Sequence, residues 1–153
     1  MHLARALLFL LLLAPTAPAE EWKLVWSDEF DTPGLPDITK WDYEEGFERN
    51  QEVQYYTRGR LENARVENGL LVIEGRKESY TPPATRKTGR VPHPVEYTSA
   101  SLITRHRAAW RYGRIEMRAK LPAGEGVWPA FWAMGTNRTD RGWPACGEID
   151  IME

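Results

Sequence analysis

Ala64-Arg65-Val66-Glu67-Asn68-Gly69-Leu70-Leu71-Val72-Ile73 sets an Asn-Gly pair between two apolar runs. That arrangement predicts a β-hairpin. Further along, Tyr112 to Leu121 alternates Arg114, Glu116, Arg118 and Lys120 with Ile115, Met117, Ala119 and Leu121. One polar and one apolar face are expected of an antiparallel strand that covers a core. Trp22 to Trp26, Glu52 to Thr57, Thr98 to Thr104 and Val127 to Met134 read as further strands. Ser79 to Pro94 carries four prolines and few apolar residues, and is expected to be a long loop. Beyond the first residues, no window of twelve or more carries a helical stripe. Many strands without helices predict an all-β chain, a sandwich of two antiparallel sheets.

At the N-terminus, Met1, His2 and Arg5 precede an apolar run, Ala6 to Ala14, and then Ala17-Pro18-Ala19. This order predicts a secretory signal peptide over residues 1–19, since a membrane-spanning helix needs about 20 apolar residues. Residues 20–153 then form one incomplete domain, because Glu153 falls within a strand-like segment. The 153-residue chain by itself is expected to be inactive. With a net charge of −2 for the whole chain, no clustered positive surface is expected for nucleic acid or for anionic membranes. Secretion, no membrane in the mature form and a monomeric state are the expectations. Cys146 is the only cysteine, so it is either a free thiol or the partner of a cysteine outside this sequence. His93 and His106 lack the paired spacing of a transition-metal site.

The chemistry concentrates in Gly147-Glu148-Ile149-Asp150-Ile151-Met152-Glu153. Strand alternation places Glu148 and Asp150 on one face and turns Glu153 to the other. A β-bulge at Ile151 or Met152 would bring Glu153 back to the face of the other two. Clustered carboxylates resist ionising together, and glycoside hydrolysis uses that division of labour. One carboxylate attacks the anomeric carbon while its neighbour, about 5–5.5 Å away in retaining enzymes, protonates the leaving oxygen. The charge pattern alone also suits a solvated acidic edge or a metal site. Trp128 and Trp132 favour the sugar reading, because an even spacing sends both indoles to one face of an extended strand.

Several stretches together resemble glycoside hydrolase family 16 of the laminarinase (endo-β-1,3-glucanase) type: Trp26-Ser27-Asp28-Glu29-Phe30, Asn50 to Thr57, Tyr97-Thr98-Ser99-Ala100, Trp110 to Glu116, Leu121-Pro122, Trp128 to Trp132, and Trp143-Pro144-Ala145-Cys146-Gly147 leading into the acidic motif. The resemblance implies a jelly-roll sandwich of the concanavalin A type, truncated after its catalytic strand. It implies Glu148 as nucleophile, Asp150 as its assistant, and Glu153 as general acid/base. Asn50, Trp128 and Trp132 would contact glucose units. Ser101 stands where many relatives carry a basic residue, and Arg105, further along the same strand face, is expected to take that role. No cofactor is required for catalysis. A structural calcium is implied on the convex face, with Glu29 and the Gly69 carbonyl as ligands.

The implied partner is a polysaccharide, with β-1,3-glucan ranked first because the acidic motif has the longer, bulged form. The implied activity is endo-acting hydrolysis by double displacement. A non-catalytic β-glucan recognition protein on the same fold is the rival reading. Related hydrolases of mixed-linkage glucan, agar or carrageenan are further alternatives.

Overall fold

The computed structural model describes residues 21–83 and 93–153. The signal peptide expected over residues 1–19 lies outside the described residues. In chain order the elements are β1 (Asp42–Glu44), β2 (Tyr55–Tyr56), β3 (Ala64–Glu67), β4 (Leu70–Ile73), β5 (Arg76–Tyr80), β6 (Val95–Ser99), β7 (Ser101–Ile103), β8 (Phe131–Met134), α1 (Arg138–Arg141) and β9 (Glu148–Met152). All-β character is therefore as expected, with one helical turn added. Among the described residues no helix is long and apolar enough to cross a membrane.

The Asn-Gly hairpin forms as predicted, with Glu67 opposite Leu70 and Ala64 opposite Ile73. Asn68 and Gly69 have φ of 53° and 72°, the left-handed pair that a two-residue turn needs to match strand twist. Strands pair as β1-β7, β2-β6-β5, β3-β4 and β8-β9. All are antiparallel except β2 against β6, which is parallel.

Expected strands change at their edges. Thr98 to Thr104 divides at buried Ala100, so that β6 joins one sheet and β7 another. Glu52 to Thr57 contributes only Tyr55 and Tyr56, and Val127 to Met134 only its last four residues. Ser79 and Tyr80 belong to β5 rather than to the proline-rich loop, of which residues 84–92 lie outside the described residues. Tyr112 to Leu121 and Trp22 to Trp26 form no strand. Their alternation marks faces that could be covered, but a strand also needs a hydrogen-bonded neighbour. None of the described residues provides one, and Ile115, Met117 and Leu121 stay exposed.

Tyr43, Ala64 and Ala100 make a small apolar core with Leu102 packed against it. Beside it lies a buried polar knot centred on Asn63, which is fully buried. Its amide oxygen accepts from Thr57 Oγ1 at 2.8 Å and from Arg60 at 2.7 Å. Its amide nitrogen donates to the Glu74 carbonyl at 3.0 Å and to Thr98 Oγ1 at 2.9 Å. Thr98 donates in turn to Glu78. Every polar atom of the Asn63 side chain is paired, as burial demands. The knot fastens the β3-β4 hairpin to the β2-β6-β5 sheet.

The N-terminal Trp-Ser-Asp-Glu-Phe stretch is held by side chains instead of by a ladder. Trp26 packs edge-on against Trp41 and Trp110, with ring centroids 5.5 and 5.4 Å away. Asp28 accepts from Trp41 Nε1 at 2.7 Å and from Lys40 Nζ at 3.1 Å. These three tryptophans are thus structural.

Candidate active site

β8 and β9 build the acidic face. Their ladder pairs Met134 with Glu148, Ala133 with Ile149 and Trp132 with Asp150, then slips so that Phe131 meets Met152. Ile151 is the additional residue on β9. Residues directly opposite one another share a sheet face, so Glu148, Asp150, Trp132 and Met134 line one side. A bulge sends two consecutive residues of one strand against a single partner. With Ile151 and Met152 both assigned to Phe131, alternation returns Glu153 to the side of Glu148 and Asp150. All three carboxylates are open to solvent.

The remaining expected site residues are distributed as follows. Trp128 lies in the irregular segment before β8 and is 73% exposed, so the shared-strand geometry expected of Trp128 and Trp132 does not hold. The reason is that Pro129, which lacks an N–H, precedes the paired residues. Asn50 and Gln51 make a turn with φ of 51° and 54°, and Asn50 is exposed. Arg105 sits in the turn after β7 and is exposed. The strand ends at Ile103, so Arg105 does not continue the face of Ser101. Glu29 is exposed in an irregular segment, and Gly69 lies at the hairpin tip. Cys146 is a free, half-buried thiol.

The structure adds a group of residues that sequence reasoning missed. Glu44 on β1 is buried and stands opposite Ser101 on β7. Its carboxylate accepts from Ser101 Oγ at 2.7 Å, from Arg138 at 3.4 Å, and from Arg49. Burial works to raise the Glu44 carboxyl, but the bonds from Arg49, Ser101 and Arg138 outweigh it and hold the group below the usual carboxylate range. The Arg49 guanidinium lies over two rings, Tyr56 at 5.6 Å and Trp132 at 5.4 Å from their centroids. Glu44 and Arg138 are 94 positions apart, a separation at which no local pattern signals pairing.

Residues 114–153 match the family model described as "XgeA-like, catalytic GH16 domain". The chain is 55% identical over 139 residues to a beta-glucanase of Rhodothermus marinus, covering 88% of this chain and 44% of that protein. It is 44% identical over 152 residues to a glucan endo-1,3-beta-glucosidase of Cryptopygus antarcticus, covering 97% of this chain and 52% of the other. The crystal structure of the laminarinase from Rhodothermus marinus superposes with a TM-score of 0.72 at 54% identity, over 85% of this chain and 49% of that one. The chain therefore spans about half the length of the relatives it matches. The fold is that of a laminarinase-type jelly-roll sandwich, represented by part of its strands. On the family model, the identities and the fold together, the chain belongs to glycoside hydrolase family 16, among the laminarinase-like members.

Proposed function

We propose that the whole protein is a secreted, retaining, endo-acting hydrolase of β-1,3-glucan. Glu148 attacks the anomeric carbon as the glycosidic bond breaks, and Glu153 gives a proton to the departing oxygen. In the second half, Glu153 takes a proton from water as that water displaces the Glu148 carboxylate from the sugar. Asp150, between them on the same face, orients Glu148. Trp128 and Trp132 offer indole faces to successive glucose rings, while the Asn50 amide supplies a donor for sugar hydroxyls.

The observation that carries this reading is the one-residue slip at Ile151. A regular strand would divide the acids between two sheet faces, where no single sugar could meet them both. The test is a digest of laminarin, lichenan and agar by the full-length protein, read as reducing ends released. Rapid release from laminarin with oligosaccharides of several lengths is expected. Tight binding of laminarin without chain shortening would replace this reading with the recognition-protein one.

Glu29 and the Gly69 carbonyl are hard oxygen donors of the kind calcium selects. They would supply two of the six to eight oxygens such an ion takes, and among the described residues no cluster of three acidic, histidine or cysteine side chains forms a site. We assign them as part of a structural calcium site in the whole protein, with no step of the reaction passing through it. A melting temperature that falls on EDTA treatment and returns with calcium is expected. An unchanged melting temperature rejects the assignment.

A further inference from the structure

Arg49 occupies a position that neither strand pairing nor the acidic motif explains. Its side chain is 21% exposed and its partner Glu44 only 7%, so the ion pair is largely withdrawn from water. The same guanidinium lies over the Tyr56 ring and over the Trp132 ring. Tyr56 belongs to β2, Glu44 to β1 and Trp132 to β8, so one side chain touches three strands from three different sheets. Arg138 of α1 reaches the same carboxylate. The β8-α1-β9 unit is therefore fastened to β1 through Glu44, with Arg49 placed on the indole itself.

An indole held only by its own strand keeps freedom about its side-chain torsions. A cation on its face restricts that freedom and fixes the ring plane, because the attraction depends on the guanidinium facing the π-cloud. Ring plane is what a stacking platform must hold constant, since sugar C–H groups meet a flat face. Arg49 shares the Glu44 carboxylate with Arg138, and Glu52 is a second negative charge close to Arg49.

We propose that Arg49 is the positioning residue of the Trp132 sugar platform: clamped by Glu44, it packs on the indole and sets the angle at which that ring meets the glucan. This rests on the reading of Trp132 given under Proposed function. Arg49 acts through Trp132 and takes no part in bond breaking.

The test is calorimetric binding of laminarihexaose to full-length protein carrying Glu148→Gln, so that no turnover intrudes. Adding Arg49→Ala should weaken binding about five-fold, the scale of one cation–π contact. Arg49→Lys should fall between, as it keeps a cation but loses the planar fork. In a Trp132→Ala background, Arg49→Ala should cause no further loss. Affinity unchanged by Arg49→Ala, or the same loss with and without Trp132, overturns the proposal. If Arg49→Ala does not fold, affinity of the Arg49→Lys protein equal to its parent's overturns it instead. Failure of the Glu148→Gln parent to bind laminarihexaose rejects both this proposal and the glucan reading, whereas firm parental binding indifferent to Arg49 rejects this one alone.

Discussion

Trp132 and Asp150 are partners across the β8-β9 ladder, one step before the register slips at Ile151. The pairing sets an indole and a carboxylate side by side on one sheet face, and the slip decides on which face Glu153 follows.

Changing the length of β9 tests that geometry. One alanine inserted between Ile151 and Met152 should turn Glu153 away from its partners. Hydrolysis of laminarin should then drop about 10²–10⁴-fold, the usual worth of a positioned general acid. Deleting Ile151 has the opposite logic, because a regular strand then carries Glu148, Asp150 and the final glutamate at even spacing. That variant should stay well above the insertion in activity. Equal rates from the two would refute the bulge's role.

Replacing each glutamate separates their tasks. Glu148→Gln should remove turnover while substrate binding persists, since the nucleophile goes and the cleft shape stays. Glu153→Gln should be severe on laminarin, about 10²–10⁴-fold, yet mild for the glycosylation step of an aryl glycoside whose leaving group needs no proton. Kinetics on both substrates provide the check, and equal damage to the two would remove Glu153 from the acid's role.

Asn63 joins two sheets through hydrogen bonds with Thr57, Arg60, Thr98 and the Glu74 carbonyl. Asn63→Ala leaves several buried partners unpaired, at about 1–3 kcal/mol for each polar group stranded. A loss of about 2 kcal/mol or more is expected in urea unfolding of the full-length protein. A change below about 0.5 kcal/mol, as for an ordinary surface site, would mean the knot contributes little.

Acid should loosen the same region. Hydrogen bonds from Arg60 and then Thr98 pull the Glu78 carboxyl down from 4.5 to about 2. A carboxyl depressed on folding adds stability that is complete above its unfolded value, and that stability disappears as pH falls toward the folded one. Wild type and Glu78→Gln should therefore differ in melting temperature at pH 6 and converge between pH 4.5 and 2. A gap that persists at pH 2 contradicts the assignment. Because Glu78 is partly exposed, high salt should narrow the gap.

The parts of this chain that could be read in advance were set locally. Asn68-Gly69 fixed a turn by backbone sterics, and the odd spacing of Glu148 and Glu153, five positions apart, puts them on one strand face only if a bulge intervenes. Tyr112 to Leu121 misled because alternation reports a face that could be buried, while strand formation depends on a neighbour that alternation does not specify. Trp128 misled for a related reason, since even spacing matters only inside an extended strand and β8 begins after Pro129. The Glu44 cluster stayed hidden because Arg49, Ser101 and Arg138 meet it only after the chain has folded. The strand face that would carry Arg105 ends two residues before it, at Ile103.

Stereochemistry bears most directly on the pairing of Glu148 with Glu153. Proton NMR of laminarin during the first minutes of hydrolysis by the full-length protein would show which anomer is released before mutarotation. Double displacement predicts the β-anomer first, with the α-anomer rising later. An initial α-anomer would mean single displacement by water, and would contradict the assignment of Glu148 as nucleophile.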